Sequence, residues 1–529
     1  MQAALIFALA FLLRTLFLAE MLPHPLLDIN LVRGTDMEGY IRWGWRIAQG
    51  NWLGRGEGPF YQGPAYPYLL ALTFAVFGFT LLPALVVQAF LGSLTAVLTY
   101  WIGRRLFGAA VGLTAGLGVA AYAMLVFFGV ILHSTTLEVF LATLAILALV
   151  VAAERGGGWW FWAGAAAALT ALARPNFLLI PPFVVAAILI RERGRPMTPA
   201  LRSAAFFVLG FVLVIAPVTL RNVVIGKQFV ILSSAGPETF RIANSYDSTP
   251  LNFVYPKRPQ MPLASWAFWR HQAVKGVLFW WGFEAPQNVN YYLFRTVSDS
   301  LRLPLVAYWA VVPLAAAGLL ACGRRWRDLL PLLLLGLGYY LSVVAFHIVG
   351  RFRLPLVPLL IILAAVALVR AGALFGAGRW RPLLAGATLV AALMGLTHPW
   401  GFPLIYPVDH ANYGYILANR GDLPAGLREL GVAEAGLPGR PGLNYDMGRM
   451  LMVLGRPAEA LPRFEREMRV APQHPELFRR AGMTAWRAGD PERARIYLER
   501  YLALAPDGPR AAEVRRELEA MRGPHGGRR

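Results

Sequence analysis

Cysteine and lysine are nearly missing from this chain. A single cysteine, Cys322, excludes an internal disulfide framework and leaves little material for a thiolate metal site, and it reads as a small apolar residue in a helix. Acids are also few, 29 against 50 basic residues, and only three of the basic residues are lysines, Lys227, Lys257 and Lys275. What fills the space is apolar. Of 529 residues 57% are hydrophobic and the mean hydropathy is +0.52, which excludes an ordinary soluble protein and points to a polytopic membrane protein. The basic excess does not indicate a nucleic-acid partner. From residue 401 onward 20 arginines face 16 acids, so +4 of the formal +21 lies there and +17 lies in the hydrophobic part. There, basic residues orient helices and meet lipid phosphates.

Apolar runs long enough to cross a bilayer fall near 3–20, 82–103, 109–132, 136–153, 158–173, 176–190, 203–220, 304–321, 329–346, 354–369 and 382–397, about eleven spans. The first run lacks a small-residue cleavage site and contains Arg14, so it is expected to be a retained helix. Arg104, Arg105, Arg155, Arg191, Arg193, Arg195, Arg324, Arg325, Arg327, Arg379 and Arg381 fall on alternate loops. The positive-inside rule makes these loops cytoplasmic. Residues 21–81, the turn at His133–Glu138, Arg174-Pro175, the long loop 221–303, the loop at 347–353 and everything after 398 are then outside.

Several basic residues break that rule. All three lysines lie in the 221–303 loop, and Arg174, Arg221, Arg351 and Arg353 sit at outer helix ends. An anionic ligand at the outer interface would account for them; headgroup contact is the alternative for any single one. Acids near the membrane are scarcer. Asp28, Asp36 and Glu38 occupy the first outer loop, and Glu138 opens the fourth span in the run HSTTLE. Ionisable groups at helix mouths are functional candidates, although Glu138 also suits the first turn of a helix on dipole grounds. The loop itself is interfacial in character. Tyr40, Trp43 and Ile47 recur at helical spacing with Arg42 and Arg46 on another face, and Pro64 to Tyr68 introduces a second juxtamembrane helix over 68–79.

These pieces resemble the membrane glycosyltransferases of the GT-C superfamily, among them protein O-mannosyltransferases and lipid A aminoarabinose transferases. The matching residues are Asp36 and Tyr40, then Ala48 and Gly50, Gly63-Pro64 with Tyr66-Pro67, and Phe77-Gly78. Further on come Glu138, Ala173-Arg174-Pro175-Asn176, Arg221-Asn222 with Gly226, Asn244, and Arg351-Phe352-Arg353-Leu354-Pro355 with Pro358. The resemblance covers roughly residues 1–400 and implies an all-α, GT-C-type membrane body. It further implies an inverting transfer of a sugar from a polyprenyl-phosphate donor to an acceptor hydroxyl at the outer face of a bacterial-type plasma membrane. Asp36 is carried over as the general base and Tyr40 as a donor-phosphate contact. Arg174, Arg221, Lys227, Arg351 and Arg353 are the candidate phosphate clamps, and Glu38 and Glu138 position substrate.

Two departures narrow the resemblance. Met37 separates Asp36 from Glu38 where many members have adjacent acids, and Gln62-Gly63 stands where aminoarabinose transferases have Glu-Lys before the proline. The second argues against aminoarabinose as the sugar and leaves dependence on a divalent metal open, with His133 and Glu138 as the candidate ligands.

The C-terminal region is built differently. A 34-residue period relates Gly448 to Gly482, Ala460 to Ala494, Phe464 to Leu498 and Pro472 to Pro506. This is the tetratricopeptide pattern, with a degenerate first repeat at about 407–440. Residues 401–522 are thus expected to form an extracytoplasmic α-solenoid, with a capping helix after 508 and a disordered tail at 523–529. Such repeats bind proteins or peptides in a groove, which favours a protein acceptor or an envelope partner enzyme; bracing the outer face is the alternative. A lipid-linked oligosaccharide transferase and a non-enzymatic scaffold displaying the repeats compete with the first functional reading.

Overall fold

The computed structural model of this protein describes residues 1–191, 196–251, 255–323, 326, 328–401 and 404–522. Arg193, Arg195, Arg324, Arg325 and Arg327, read above as inner-loop arginines, and the tail 523–529 lie outside the described residues. The chain divides into two compact units, Met1–Phe402 and Pro403–Arg529. Both are helical, and among the described residues the only β pairing is in isolated bridges.

The first unit runs α1 (Gln2–Met21), α2 (Asp36–Ala48), α3 (Ala65–Phe77), α4 (Leu82–Phe107), α5 (Ala109–Ala120), α6 (Ala123–Phe127), α7 (Thr135–Arg155), α8 (Trp159–Ala173), α9 (Pro181–Arg191) and α10 (Met197–Val224). It continues with α11 (Ala235–Ala243), α12 (Trp266–Phe279), α13 (Tyr291–Val297), α14 (Asp299–Arg302), α15 (Tyr308–Ala321), α16 (Leu330–Val344), α17 (Gly350–Arg353), α18 (Val357–Gly376) and α19 (Trp380–Thr397). Six helical segments among the described residues are long and apolar enough to cross a membrane: α1, α4, α7, α10, the α17–α18 run and α19. Six shorter apolar helices accompany them. Five coincide with the remaining expected spans and the sixth is α3, expected to lie beside the membrane, so eleven crossings remain a proposal.

The run 109–132 is not one helix. α5 stops at Ala120, Tyr122 bridges to Val306, and α6 is a separate short turn. The 12 residues of α5 extend only about 18 Å. Arg14 explains how the break is tolerated. This buried guanidinium donates to the carbonyls of Ala10 (2.9 Å) and Ala120 (3.3 Å), so a cation caps the C-terminal end of α5. Gly92 makes room for it, since a Cβ there would lie 2.5 Å from Arg14 Nε.

Arg104, Arg105, Arg155 and Arg191 lie in the last turns of α4, α7 and α9. The segment between α1 and α4, the start of α7, the residues after α8 and the short helix α17 meet through side-chain hydrogen bonds and ion pairs. That meeting point holds Asp36.

The second unit is a series of antiparallel helix pairs: α20 (Pro407–Asn419) with α21 (Leu423–Gly436), α22 (Leu443–Val453) with α23 (Pro457–Val470), α24 (Pro475–Arg487) with α25 (Pro491–Leu504), then α26 (Ala511–Arg522). The sequence period is a packing period. A Cβ on Gly414 would meet Leu430 at 2.9 Å, one on Gly448 would meet Phe464 at 2.8 Å, and one on Gly482 would meet Leu498 at 2.6 Å. In each pair a glycine on the first helix seats a large side chain of the second, which permits the close crossing that the repeat needs.

Candidate functional site

Asp36 begins α2. Thr35 caps the helix by accepting from the Glu38 amide, which leaves Asp36 as its first helical residue, where a carboxylate is favoured by the helix dipole. Its two oxygens are unequally engaged. Oδ1 accepts from Gln62 Nε2 at 3.2 Å alone, whereas Oδ2 accepts from Asn288 Nδ2 at 2.7 Å and Arg351 Nη2 at 2.8 Å, with His133 Nε2 3.6 Å away. The carboxylate side chain remains 25% exposed, enough for an approaching hydroxyl to reach it. Burial alone would raise its pKa; the Arg351 charge outweighs that and holds it well below the usual carboxylate range.

His133 precedes α7. Burial, then the Arg351 charge, pushes it down to about 4, so it is neutral near pH 7, and at 3.6 Å its Nε2 lies beside Asp36 without forming an ion pair or a hydrogen bond. Arg351 Nη1 also meets His133 Nε2. Tyr40, one turn along α2 from Asp36, contacts Ser134 Oγ at 3.3 Å and packs edge-on against both Tyr66 and His133. Ser134 donates to Glu138 Oε1 at 2.5 Å, and Glu138 Oε2 faces Arg174 at 3.7 Å. Arg174 in turn stacks on Phe352, between Arg351 and Arg353. One connected network therefore joins Asp36, Tyr40, His133, Glu138, Arg174 and Arg351.

The other expected site residues are employed elsewhere. Arg221 donates to the carbonyls of Leu53 (2.8 Å), Gly54 (2.9 Å) and Gly58 (2.8 Å) and stacks on Phe60, fastening the first loop. Arg353 is buried against Glu284 at 2.6 Å and donates to the carbonyls of Trp281 and Phe283. Only Phe352 lies between it and Arg351, so the two guanidiniums leave the short helix on nearly opposite sides and reach different partners. Lys227 is exposed, in a left-handed turn with φ 57°. Glu38 pairs with Arg42 at 3.4 Å on the helix surface. Lys275 is buried but donates to Asn244 Oδ1 and the Phe346 carbonyl, tying α12 to the segment after α16.

The two expected metal ligands each face an arginine. His133 Nε2 faces a guanidinium and Glu138 faces another, so a cation between them would meet Arg351 and Arg174. Among the described residues no group of three or more His, Cys, Asp or Glu side chains converges on one point. The amides Gln62, Gln287 and Asn288 were not singled out as site residues. Only Asn288 carries a local sign of special geometry, a φ of 65° on a residue other than glycine, and sequence does not display it.

Residues 61–220 match the family model of dolichyl-phosphate-mannose-protein mannosyltransferase, and residues 445–509 match that of a tetratricopeptide repeat. No curated protein matches the chain. Among solved structures, ArnT from Cupriavidus metallidurans bound to undecaprenyl phosphate is similar at 17% identity and a TM-score of 0.45, over 89% of this chain and 80% of that one. The same protein in the apo state gives 17% identity and a TM-score of 0.43, over 87% and 80%. The family models cover part of the first unit and the later repeats, and over those stretches the resemblance to a GT-C glycosyltransferase carrying tetratricopeptide repeats is borne out.

Proposed function

We propose that this protein is an inverting glycosyltransferase of the GT-C type, moving a sugar from a polyprenyl-phosphate donor to an acceptor hydroxyl at the outer face of a plasma membrane. The observation that carries the reading is the Asp36 carboxylate, partly exposed at a helix start, with Arg351 at 2.8 Å from one oxygen and the other oxygen engaged by a single amide. Oδ1 accepts the proton of the acceptor hydroxyl, the hydroxyl oxygen attacks the anomeric carbon, and the phosphate leaves with the bonding electrons. Arg351 takes up the charge on the phosphate, while Arg174 stays paired with Glu138. Tyr40 contacts Ser134, which in turn holds Glu138. The repeats supply a surface for a protein acceptor or a partner enzyme of the cell envelope.

The test is transfer from a synthetic polyprenyl-phosphate sugar by wild type and Asp36→Asn. Loss of a positioned general base lowers the rate by about 10²–10⁴-fold. Full activity in Asp36→Asn would exclude Asp36 as the base, and absence of any donor binding by wild type would favour a scaffold.

A further inference from the structure

Arg351 has two calls on one guanidinium. Its Nη2 holds Asp36 Oδ2 at 2.8 Å and Gln287 Oε1 at 2.9 Å, its Nη1 meets His133, and its buried Nε has no partner. Oδ2 of Asp36 is thereby saturated, and a carboxylate tied to a guanidinium is a poor base. Three side chains donate to Asp36; Gln62 and Asn288 are neutral amides, so Arg351 is the single charged donor, and the neighbouring His133 is neutral. A guanidinium prefers a phosphate that offers two oxygens to a carboxylate already shared with amides.

Resting on the donor class proposed above, we infer that the lipid phosphate and Asp36 compete for Arg351, and that transfer of the guanidinium from carboxylate to phosphate is what makes Asp36 a base. Without donor, Arg351 keeps Asp36 unreactive toward hydroxyls, including water. With donor bound, Arg351 swings to the phosphate, while Gln62 and Asn288 keep the carboxylate oriented. The acceptor proton moves to Asp36, the new bond forms at the anomeric carbon, and the carbon–oxygen bond to phosphate breaks. The released phosphate, with one more negative charge, retains Arg351 until it departs. Return of Arg351 to Asp36 then expels the proton to solvent and resets the site.

The experiment measures binding rather than turnover, using the full-length protein in detergent and undecaprenyl phosphate without a sugar. Dissociation constants are compared for wild type, Asp36→Asn, Arg351→Gln and the double variant. Competition predicts that Asp36→Asn binds roughly tenfold tighter than wild type, since a competing charged hydrogen bond is removed. Arg351→Gln binds more weakly, and the double variant binds like Arg351→Gln. Equal tightening by Asp36→Asn with and without Arg351 would reduce the effect to relief of like-charge repulsion and overturn the exchange; so would no tightening. A variant that fails to fold is replaced by Asp36→Ser or Arg351→Leu, which complete the same cycle. Failure of every protein to bind undecaprenyl phosphate overturns the donor class itself, whereas binding without coupling overturns the exchange alone.

Discussion

Arg221 separates two uses of a basic residue at a helix mouth, and its substitution decides between them. As a phosphate clamp, Arg221 would lower lipid-phosphate affinity when removed. As a fastener, it holds the loop 51–60 by three hydrogen bonds of 2.8–2.9 Å and by stacking on Phe60 at 3.9 Å. The carbonyls of Leu53 and Gly58 lie in exposed turn residues and can be rehydrated, so each contact is worth about 1 kcal/mol, while the Gly54 carbonyl is buried and is worth about 2 kcal/mol. Arg221→Met should therefore ease local opening of residues 51–60 by roughly 3–4 kcal/mol, about a 10²–10³-fold loss of amide exchange protection. Arg221→Lys should recover at most one contact, since an ammonium cannot span three carbonyls. Gly54→Ala approaches the same joint from the other side. Its φ is 58°, and an added Cβ would lie 2.6 Å from Arg221 Nη2, so it should loosen the same peptide. Hydrogen–deuterium exchange read by mass spectrometry checks all three. Unchanged protection of 51–60, together with a tenfold or greater loss of undecaprenyl phosphate affinity, would refute the fastener reading and restore the clamp.

Two further outcomes follow from other parts of the molecule. Phe464 is fully buried on Gly448, and Phe464→Ala should destabilise the repeat unit by about 3–5 kcal/mol; an unaltered thermal unfolding profile of the full chain would contradict the packing of the repeats. His133 is held down to about 4 from 6.5, so the unfolded chain binds its proton as pH falls through 6.5 while the folded chain does not until about 4. Stability is then complete above pH 6.5 and declines by about 3 kcal/mol between 6.5 and 4, a slope that His133→Asn should remove; identical melting-against-pH curves for the two proteins would show that His133 is not buried neutral.

The parts of the fold that sequence displays are those set by local periodicity. The helix α2 follows from the spacing of Tyr40, Trp43 and Ile47, although its start at the Thr35 cap does not, and the repeat register follows from glycines 34 residues apart that face large side chains. Long-range pairing is not displayed. The apolar run 109–132 gives no hint that Tyr122 bridges to Val306 and divides it, and Arg14 looks like an isolated charge until the carbonyl of Ala120 is seen against it. The same limit applies at the site. Arg351 and Arg353 are indistinguishable as basic residues at one helix mouth, yet one reaches Asp36 and the other Glu284. Neutral amides such as Gln62 and Asn288 carry no charge signal, so their aim at the Asp36 carboxylate emerges only from the folded chain.

The charge balance of the site differs from the cationic patch that the surplus of arginines suggests. Asp36 is matched by Arg351, Glu138 by Arg174 and Glu284 by Arg353, with His133 neutral between the first two pairs. Three acids and three arginines leave no net positive charge to attract an anion. Breaking a buried pair without a substitute leaves an uncompensated charge, which is costly, so an entering phosphate gains little unless it replaces a carboxylate as the partner of one guanidinium. Arg353 is fully buried and also bound to backbone carbonyls, and Arg174 is shielded by Phe352, which leaves Arg351 beside the exposed carboxylate as the pair that can be exchanged. Affinity for a phosphate at this site thus depends on which pair opens rather than on how many basic residues surround it. Neutralising the exposed Lys227 should leave undecaprenyl phosphate binding within about twofold of wild type, because a charge exposed to water contributes little across a screened distance. A tenfold loss on Lys227→Gln, measured by the same lipid-phosphate titration, would instead mean that the site draws its ligand by net charge.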